Sequence, residues 1–354
     1  MDLTSPTLTV AEVAARFAPA TGYLAACTMG LPLAETLSAQ RDDLDRWATG
    51  SRSPVDYGDV VEQARASYAR LVGVPASRVA VGSQTSAMMA VVAAAAPDGA
   101  EVVCVDGDFS SVVFPFLQQA HRGVTVRSVP VDELAGALGP STWCVAWSAV
   151  QSATGVVADD AGVRAAAAAH GALTVCDVTQ AAGVLPVDAA LWDVSVGHAY
   201  KWLCCPRGAA FMTLSDRALA ELRPVQAGWY AGRSVWASCY GPAMDLAGDA
   251  RAFDVSPAWP VWPGAAAALD TFSRLDPADT WGHASGLGDE LCRRLDLPPQ
   301  GQAVVTWADV DGAAAAAMSR AGLTVSARAG RVRVAFHLWN TSEDVEAVAA
   351  SWGR

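Results

Sequence analysis

Short apolar runs alternate with alanine-rich segments over the first two thirds of the chain. Seven runs lie between about residues 75 and 215: SRVAVGS, EVVCVD, VTVRSVPV, STWCVAWSAV, ALTVCDVT, VSVGHA and GAAFMTL. Runs that are apolar on both faces and separated by helices are typical of a mostly parallel sheet covered on each side. The pattern predicts an α/β fold whose large domain holds a mostly parallel, seven-stranded sheet.

The chain follows a different pattern after about residue 240. A Pro/Trp-rich stretch, FDVSPAWPVWPG, precedes helical segments, an alternating strand pair in TVSARAGRVRVAFH and a closing helix near TSEDVEAV. Asn340, Thr341 and Ser342 stand before Glu343 and Asp344, and this order supplies an N-cap and favourable charge for that helix. We predict a small α+β C-terminal domain.

The length of 354 residues exceeds the usual size of one hydrophobic core, so we expect more than one domain. We predict an N-terminal segment over residues 1–20 that packs on the small domain. The large domain should span residues 21–240 and the small domain residues 241–354. Ligands of parallel sheets bind beyond the carboxyl ends of the strands, so the residues just after each apolar run are the first candidates for function.

Composition and charge argue against several classes of function. Although the chain is 52% hydrophobic, no apolar run approaches the roughly 20 residues that cross a bilayer. The N-terminus, MDLTSPTLTV, lacks the basic-then-apolar order of a secretory signal, so we expect a soluble cytoplasmic protein without a membrane partner. A net charge of −12 argues against nucleic-acid binding. The eight cysteines lack the spacing of a zinc site or a disulfide framework, and we expect no metal.

Lys201 is the only lysine among 24 lysine and arginine residues. Genome bias toward arginine removes surface lysines, but a lysine that forms an imine cannot be replaced, because a guanidinium stays protonated. Lys201 follows a buried run in VSVGHAYKWLCCPRG, where apolar surroundings favour the neutral amine. It is either a chance survivor at the sheet edge or an amine nucleophile, and we predict the second.

Two further motifs suit the binding of a small charged molecule. Asp177 ends an apolar run in ALTVCDVTQAAG, and a buried carboxylate there needs a cationic partner unless it caps the next helix. Gln180 follows three residues later and can donate from its amide. Residues 82–86, GSQTS, precede the helical AMMAVVAAAA, and free N–H groups at a helix start suit phosphate, although serine and threonine also cap helices without ligands.

The motifs GSQTS, DFSSVVFP, DVTQAAG and HAYKW, in this order, resemble fold-type I pyridoxal-phosphate enzymes of aminotransferase class V. Cysteine desulfurases, kynureninases and isopenicillin-epimerase-like proteins share that order. The resemblance extends from GYLAACTMGLP to RVAFHLWNTSEDV, nearly the whole chain. It implies that the cofactor is pyridoxal 5′-phosphate and that the catalytic Lys201 binds it covalently.

The resemblance also implies where the cofactor phosphate binds. Thr85, together with the backbone N–H groups of Gln84 and Thr85, matches phosphate ligands of the family, and His198 occupies the place of another. Arg251 and Ser256, in RAFDVSP, resemble the stretch that reaches the phosphate of a neighbouring subunit. A homodimer with shared active sites is therefore implied.

The ring and substrate positions follow in the same way. Phe109 falls where the family stacks a ring on the pyridine, and Asp177 and Gln180 match the residues that contact the ring nitrogen and ring oxygen. Ser152, in VQSATG, stands where many members have asparagine. Arg333 lands where relatives bind the α-carboxylate of an amino-acid substrate, a task suited to a two-pronged donor; the alternative is a strand arginine that faces solvent.

The choice of reaction must come from the substrate pocket. The segment AGWYAGRSVWASCYG is dense in aromatic residues, which suits a flat or bulky substrate side chain, although ordinary core packing explains it equally well. Trp229 and Tyr230 are the substrate-binding candidates within it. The same segment also contains Arg233, Trp236 and Tyr240.

Desulfurases of this family carry a nucleophilic cysteine before the final strand, but the corresponding AGLTVSARAGRVRV contains none. Persulfide formation is thereby disfavoured, with Cys27, Cys204 and Cys205 left open as nucleophiles. HAYKWLCCPRG and AGWYAGRSVW look most like the lyase of ergothioneine formation, which cleaves a histidine-betaine cysteine sulfoxide. We therefore expect a carbon–sulfur lyase. The alternatives are a kynureninase-like hydrolase, a cysteine desulfurase, an epimerase, an aminotransferase or, least favoured, a non-catalytic protein with this fold.

Overall fold

The computed structural model describes residues 7–352, and a seven-stranded sheet forms its centre. The strands are β1 Val79–Gly82, β2 Glu101–Val105, β3 Thr125–Val129, β4 Thr142–Ser148, β5 Leu173–Asp177, β6 Val194–His198 and β7 Ala210–Leu214. Their order is β1-β7-β6-β5-β4-β2-β3. All neighbouring pairs from β6 to β3 are parallel, whereas β7 is antiparallel to both β6 and β1. The predicted mostly parallel, seven-stranded sheet is confirmed.

Both faces of this sheet are covered. Alternate residues of β4 enter two different apolar clusters: Val145 and Trp147 belong to one, Cys144 and Ala146 to the other. Successive side chains of a strand point to opposite faces, so the two clusters lie on the two sides of the sheet. This two-sided burial explains why the strands read as continuous apolar runs in the sequence.

Helices follow most strands and supply these covers. They are α1 Val10–Ala14, α2 Ala34–Ala48, α3 Asp56–Leu71, α4 Thr85–Ala94, α5 Ser110–Leu117, α6 Asp160–His170, α7 Asp216–Glu221, α8 Trp262–Phe272, α9 Pro277–Arg294, α10 Ala313–Arg320 and α11 Ser342–Trp352. The Asp159 carboxylate caps the start of α6 by accepting from the Gly162 N–H. Gly171 ends the same helix in the left-handed conformation, which glycine adopts without strain.

A second, antiparallel sheet lies in the C-terminal part, with β8 Val304–Ala308, β9 Ser326–Arg328 and β10 Arg331–Ala335 in the order β8-β10-β9. The predicted alternating pair corresponds to β9 and β10, while β8 was not identified from the sequence. The predicted cap of the closing helix is also present. Thr341 Oγ1 accepts from the Glu343 N–H (3.2 Å), and the Asp344 carboxylate accepts from the Thr341 N–H (3.0 Å).

The N-terminal region runs alongside this second sheet. Leu8 bridges to Leu275, and residues further on form isolated parallel bridges to the small sheet region: Tyr23 with Thr324, and Ala25 with Ala335. The predicted N-terminal segment begins with residues 1–6, which lie outside the described residues. The boundaries at residues 20 and 240 stay predictions; α8 packs against α2 and α3 although it follows the second boundary.

Between residues 7 and 352, no helix has the length and apolarity needed to cross a membrane. In the same range, no group of three or more His, Cys, Asp or Glu side chains is arranged to hold a metal ion.

Candidate active site

A cavity lies beyond the carboxyl ends of β4, β5 and β6. Ser148, the last residue of β4, pairs in register with Asp177, the last residue of β5, and His198 ends β6. Strands that run parallel and end together bring their last side chains to one edge of the sheet. Eight residues predicted from the sequence line this cavity: Gln84, Thr85, Phe109, Ser152, Asp177, Gln180, His198 and Lys201.

Lys201 lies three residues beyond β6 and is only 5% exposed. Its Nζ atom is 5.5 Å from the centroid of the Phe109 ring and 5.7 Å from that of Tyr200. Burial lowers the pKa of Lys201 to about 8, and the nearby charge of Asp177 opposes this shift. The neutral amine is therefore available closer to neutral pH than in an exposed lysine, as covalent binding of a carbonyl compound requires.

A tight turn fixes the backbone of Lys201. The Lys201 carbonyl accepts from the Cys204 N–H (3.1 Å), and Cys204 has a left-handed φ of 54°. Gly30 crosses this turn and donates its N–H to the Tyr200 carbonyl (2.9 Å). A Cβ atom on Gly30 would stand 2.0 Å from the Lys201 carbonyl oxygen, so only glycine permits this close approach.

Asp177 is 4% exposed and lacks an ion-pair partner within residues 7–352. Its Oδ1 accepts from the Thr179 N–H (2.8 Å). Burial raises the pKa of Asp177 to about 6, against the opposing effects of Thr179 and Lys201. Residues 179–184 form turns, so the carboxylate does not cap a helix. A buried carboxylate without a cationic partner fits a protonated pyridine nitrogen, which would restore its ionised form.

The start of α4, where it lines the cavity, suits a phosphate group. The α4 helix starts at Thr85, and Gln84 at its N-cap makes no side-chain capping bond, which leaves the first N–H groups free for an anion. Thr85 Oγ1 lies 3.4 Å from Thr179 Oγ1, which accepts from the His198 N–H (3.1 Å). Burial lowers the pKa of His198 to about 4, so the ring is neutral; its Nε2 accepts from the Gly208 N–H (3.3 Å), which leaves Nδ1 as the donor.

Phe109 follows β2, at the N-cap of α5, and is 44% exposed. The preceding Asp108 fixes this loop on the neighbouring strand. Its carboxylate accepts from the Phe109 N–H (2.7 Å), the Ser148 N–H (2.8 Å) and the Ser148 hydroxyl (2.5 Å). Phe109 thus stands at a fixed place over the cavity, as a ring that stacks on a flat ligand must.

Gln180 lies at the centre of a buried network. Its Oε1 accepts from the Trp202 indole N–H (2.8 Å), and its Nε2 donates to the Cys27 carbonyl (2.9 Å) and to Ser152 Oγ (3.3 Å). The Trp202 carbonyl contacts His337 Nε2 at 2.8 Å. Because His337 Nδ1 accepts from the Leu338 N–H, Nε2 carries the ring proton and donates. The amide of Gln180 therefore has a fixed orientation, and its predicted contact with the ring oxygen stays a prediction.

Arg333 is 1% exposed, so the alternative of a solvent-facing strand arginine is wrong. Its Nε donates to Ser326 Oγ (3.1 Å), Nη1 to the Ser152 carbonyl and Nη2 to Thr28 Oγ1 (3.2 Å). No carboxylate of the described chain forms an ion pair with it. Burial lowers the pKa of Arg333, with Arg328 acting in the same direction and Cys27 against it. A buried cation held only by neutral groups beside a cavity-lining serine suits the carboxylate of a ligand.

Arg333 reaches the cavity only through its contact with Ser152, and four further predicted residues are absent from the lining of the cavity of their own chain. Arg251 pairs with Asp249 (3.0 Å), and Ser256 is exposed. Trp229 and Tyr230 form an edge-to-face pair with ring centroids 5.4 Å apart. Their predicted contacts with a phosphate or a substrate stay predictions.

The rest of the aromatic segment lies at the surface. Trp236 is 49% exposed and Tyr240 is 90% exposed. Arg233 forms a surface ion pair with Asp245 (3.2 Å). Core packing therefore does not account for this part of the segment.

The three cysteines left open as nucleophiles are all buried. Burial raises the pKa values of Cys204 and Cys205 well above that of a free thiol, which disfavours the nucleophilic thiolate. Cys27 Sγ lies 3.6 Å from Ser326 Oγ, next to the Arg333 side chain.

Several site residues escaped the sequence analysis. Asp108 and Trp202 could have been found as direct neighbours of Phe109 and Lys201, but the signal of a single neighbour is weak. His337 reaches the site from the far end of the chain and leaves no local signal. Other polar residues that line the cavity and were not predicted as site residues are Ser86, Ser111, Ser148, Thr179, Tyr200 and Arg207.

Comparison with known proteins agrees with these features. The family model described as aminotransferase class-V matches residues 49–309. A kynureninase from Deinococcus radiodurans is 32% identical over 261 residues, which is 71% of this chain and 63% of that protein. An isopenicillin N epimerase from Streptomyces clavuligerus is 31% identical over 185 residues, 47% of this chain and 46% of the relative. The matches thus span between about half and just under two thirds of the length of these relatives.

Solved structures share the fold at low sequence identity. The cystine C-S lyase C-DES, in complex with its reaction product cysteine persulfide, superposes with a TM-score of 0.85 at 19% identity, over 93% of this chain and 96% of that one. The cysteine desulfurase CsdA from Escherichia coli gives a TM-score of 0.82 at 18% identity, over 97% of each chain. A lysine-to-alanine mutant of C-DES carries glycine linked covalently to its PLP cofactor.

The residues of the cavity fit pyridoxal phosphate at each of its ends. Asp177 has no ion-pair partner among residues 7–352, α4 offers free N–H groups, His198 is neutral, and Lys201 Nζ lies 5.5 Å from the Phe109 ring and 5.7 Å from the Tyr200 ring. The family model covers well over half of the chain. The chain therefore belongs to the aminotransferase class-V family of fold-type I enzymes, which use pyridoxal 5′-phosphate as cofactor.

Proposed function

We propose that the protein is a carbon–sulfur lyase that cleaves a cysteine conjugate or its sulfoxide, similar to the lyase of ergothioneine formation. Ser326 carries this proposal. It lies on β9, where its hydroxyl contacts Arg333 Nε (3.1 Å), and the stretch AGLTVSARAGRVRV around it contains no cysteine. Sulfur released from a substrate then has no protein thiol on this hairpin to accept it. The thiol next to Ser326 is that of Cys27, with Sγ 3.6 Å from Ser326 Oγ, and the proposal requires that the sulfur leaves within a small molecule and not on Cys27.

Two side chains carry the chemistry. Pyridoxal phosphate, when bound, supplies a ring that stabilises negative charge at the substrate Cα. Arg333 binds the α-carboxylate, because its buried guanidinium has only neutral partners among the described residues. Lys201 accepts the Cα proton, since a pKa near 8 leaves enough neutral amine to act as a base.

The group attached to the substrate sulfur determines which product leaves when the Cβ–S bond breaks. Loss of the Cα proton and cleavage of the Cβ–S bond release a thiol from a thioether, or a sulfenic acid from a sulfoxide. The remaining three-carbon fragment takes up water and yields pyruvate and ammonia. The buried amine of Lys201 can return its proton to the leaving group, which closes the proton balance.

A kynureninase-like hydrolase is the second candidate. Of the two relatives described above, the kynureninase of Deinococcus radiodurans matches over the longer stretch, which is 71% of this chain. Cysteine desulfurase, epimerase and aminotransferase activities are the further alternatives within the family.

We also propose a cytoplasmic homodimer with shared active sites, without nucleic-acid or membrane partners. Arg251 and Ser256 are exposed and turn away from the cavity of their own chain, which supports a contact with the phosphate of a second subunit. Light scattering coupled to gel filtration should give twice the monomer mass of 36.6 kDa. A monomeric active enzyme would rule out the shared site.

A substrate panel tests the reaction. The holoenzyme is incubated separately with cysteine, kynurenine, alanine plus a keto acid, and S-substituted cysteines with their sulfoxides. We expect pyruvate from the S-substituted cysteines or their sulfoxides, little sulfide from cysteine and no anthranilate from kynurenine. The Lys201→Arg variant is the control for background decay. Anthranilate as the main product would establish the kynureninase-like reaction instead.

A further inference from the structure

Three arginines near the cavity lack a carboxylate partner, although the protein carries a net charge of −12. Most arginines of the described chain form an ion pair with Asp or Glu. Arg207, Arg328 and Arg333 have no such pair within residues 7–352. Five other arginines between residues 7 and 352 also lack an ion pair, so it is the position of these three around one cavity that points to a ligand with more than one anionic group.

Arg207 reaches the cavity from the loop between β6 and β7. It lines the cavity together with Tyr200, and its guanidinium carbon lies 4.9 Å from the centroid of the Tyr200 ring. This stacking orients the guanidinium plane and leaves its N–H groups free, since no side-chain hydrogen bond of Arg207 is formed in the described chain.

Arg328 comes from the other sheet, at the end of β9. Ser326 and Arg328 are two residues apart on one strand, so their side chains leave the same face of the sheet. Ser326 contacts both Arg333 Nε (3.1 Å) and Cys27 Sγ (3.6 Å) on that face. The left-handed residues Ala329 and Gly330 then turn the chain into β10 and fix the position of Arg328 at the turn.

Both cations act on the pKa of the same tyrosine. Burial raises the pKa of Tyr200, and Arg207 and Arg328 both oppose that shift. Arg328 also contributes to lowering the pKa of Lys201 and that of Arg333, after the larger effect of burial. These influences decay with distance, which agrees with a location at the mouth of the active site.

We propose that Arg207 and Arg328 form a second anion-binding position, which selects amino-acid substrates whose side chain ends in a carboxylate or another oxyanion. Arg333 serves the α-carboxylate, so the two further arginines are available for a distal group. The inference deepens the proposed function and rests on it only in that the substrate is an amino acid. The cofactor phosphate is the other possible anion, and the experiment separates the two.

A pair of isosteric ligands isolates the distal charge. S-carboxymethyl-L-cysteine and S-carbamoylmethyl-L-cysteine differ only in a terminal carboxylate or amide. Each is mixed rapidly with the holoenzyme, and its Kd is taken from the initial change in cofactor absorbance, before any turnover. We expect the carboxymethyl compound to bind about tenfold more tightly, in line with a charge-assisted hydrogen bond.

Substitution then assigns the preference to the two residues. Arg207→Gln and Arg328→Gln should each reduce the Kd ratio of the two ligands, and the double variant should bring it to about one. Arg320→Gln is the matched control, because Arg320 is also an exposed arginine without an ion pair in the described chain but lies on α10. Its Kd ratio should stay at the wild-type value.

The same variants distinguish the two anions. The apo forms are titrated with pyridoxal phosphate and with pyridoxal, and both affinities should match those of the wild type. A loss of affinity for pyridoxal phosphate alone would assign the arginines to the cofactor and overturn the proposal. Equal Kd values for the two cysteine derivatives in the wild type, or failure of both to bind, would overturn it as well. Neither result depends on pyruvate formation, so this test of the arginines is independent of the test of lyase activity.

Discussion

The strand ends that build the cavity and the aromatic segment 229–240 differ in how their side chains are held. Asp177, His198 and Lys201 are at most 8% exposed and sit at or just beyond the ends of buried strands. The aromatic segment has only two short 3-10 turns, and its Trp236 and Tyr240 project into solvent. The first region is buried within the chain, whereas part of the second lies at its surface.

The difference shows what a sheet contributes to a site. The hydrogen-bond register between neighbouring strands fixes the position of the last residue of each strand. The side chains available to the site are therefore determined by which residue ends each strand. An irregular segment takes its position from whatever it contacts. Within the described chain, residues 229–240 are held by contacts such as that of Trp229 with Trp236 and the surface ion pair of Arg233 with Asp245.

Replacement of Lys201 should have the largest effect. Lys201→Arg keeps the positive charge but removes the amine, so covalent cofactor binding and turnover should both be abolished. Absorbance of the bound cofactor, its loss on borohydride reduction, and turnover on the substrate panel measure this. Thermal unfolding serves as the folding control. Undiminished turnover would remove the central argument for the cavity.

Asp177→Asn should have the next largest effect. Removing one partner of a buried charge pair costs about 3–5 kcal/mol, which corresponds to a loss of more than about a hundredfold in kcat/KM. Asp106→Asn is the matched control, because Asp106 follows β2 as Asp177 ends β5 but is exposed. Equal effects of the two substitutions would show that burial at the strand end is not what matters.

The pH dependence of cofactor binding sharpens the comparison further. Only the neutral amine reacts, so a pKa of about 8 for Lys201 predicts that the rate of covalent binding to the apoprotein rises about fiftyfold from pH 6 to pH 8 and levels off above. Stopped-flow absorbance follows this rate. A rate that keeps rising tenfold per pH unit up to pH 10 would indicate an ordinary, solvated lysine.

Arg333→Lys should act on the substrate alone. A lysine keeps the charge but loses the two-pronged geometry, so KM for the amino acid should rise about tenfold with a smaller change in kcat. Arg331→Lys, two residues earlier on the same strand, is the control, since Arg331 donates to Thr306 instead. An unchanged KM would place the carboxylate elsewhere.

The aromatic segment should give the smallest effect on the isolated subunit. Trp236→Ala and Tyr240→Ala change exposed side chains, so the free energy of unfolding should shift by less than about 0.5 kcal/mol. Cofactor affinity should stay within about twofold of the wild type. Trp202→Ala, a fully buried counterpart, should cost about 3–5 kcal/mol by the same chemical denaturation assay. A large loss of cofactor affinity in Trp236→Ala would abolish the contrast between the two regions.

Features that depend on local order were predictable. Continuous apolar runs indicated all seven strands of the large sheet, and the residues that end them, such as Asp177, became site candidates without any structure. Lys201 stood out by its uniqueness and by its place after β6. These predictions succeeded because burial on both faces of a parallel sheet leaves a direct record in composition.

Features that depend on contacts distant in sequence were not predictable. Gln180 takes its orientation from Trp202 and from the Cys27 carbonyl, 153 residues away, and His337 acts on the same network from 135 residues beyond Trp202. No periodicity records such contacts. The third strand of the small sheet, β8, was also missed, although its five residues equal the length of β2 and β5.

The burial of Lys201 also allows this side chain to report on opening of the active site. Every other basic side chain is a guanidinium or an imidazole, so a reagent specific for side-chain amines has a single target in the chain. That target is 5% exposed, and modification requires the cavity to open. The labelling rate of the apoprotein would therefore measure how often the active site opens, without an introduced probe.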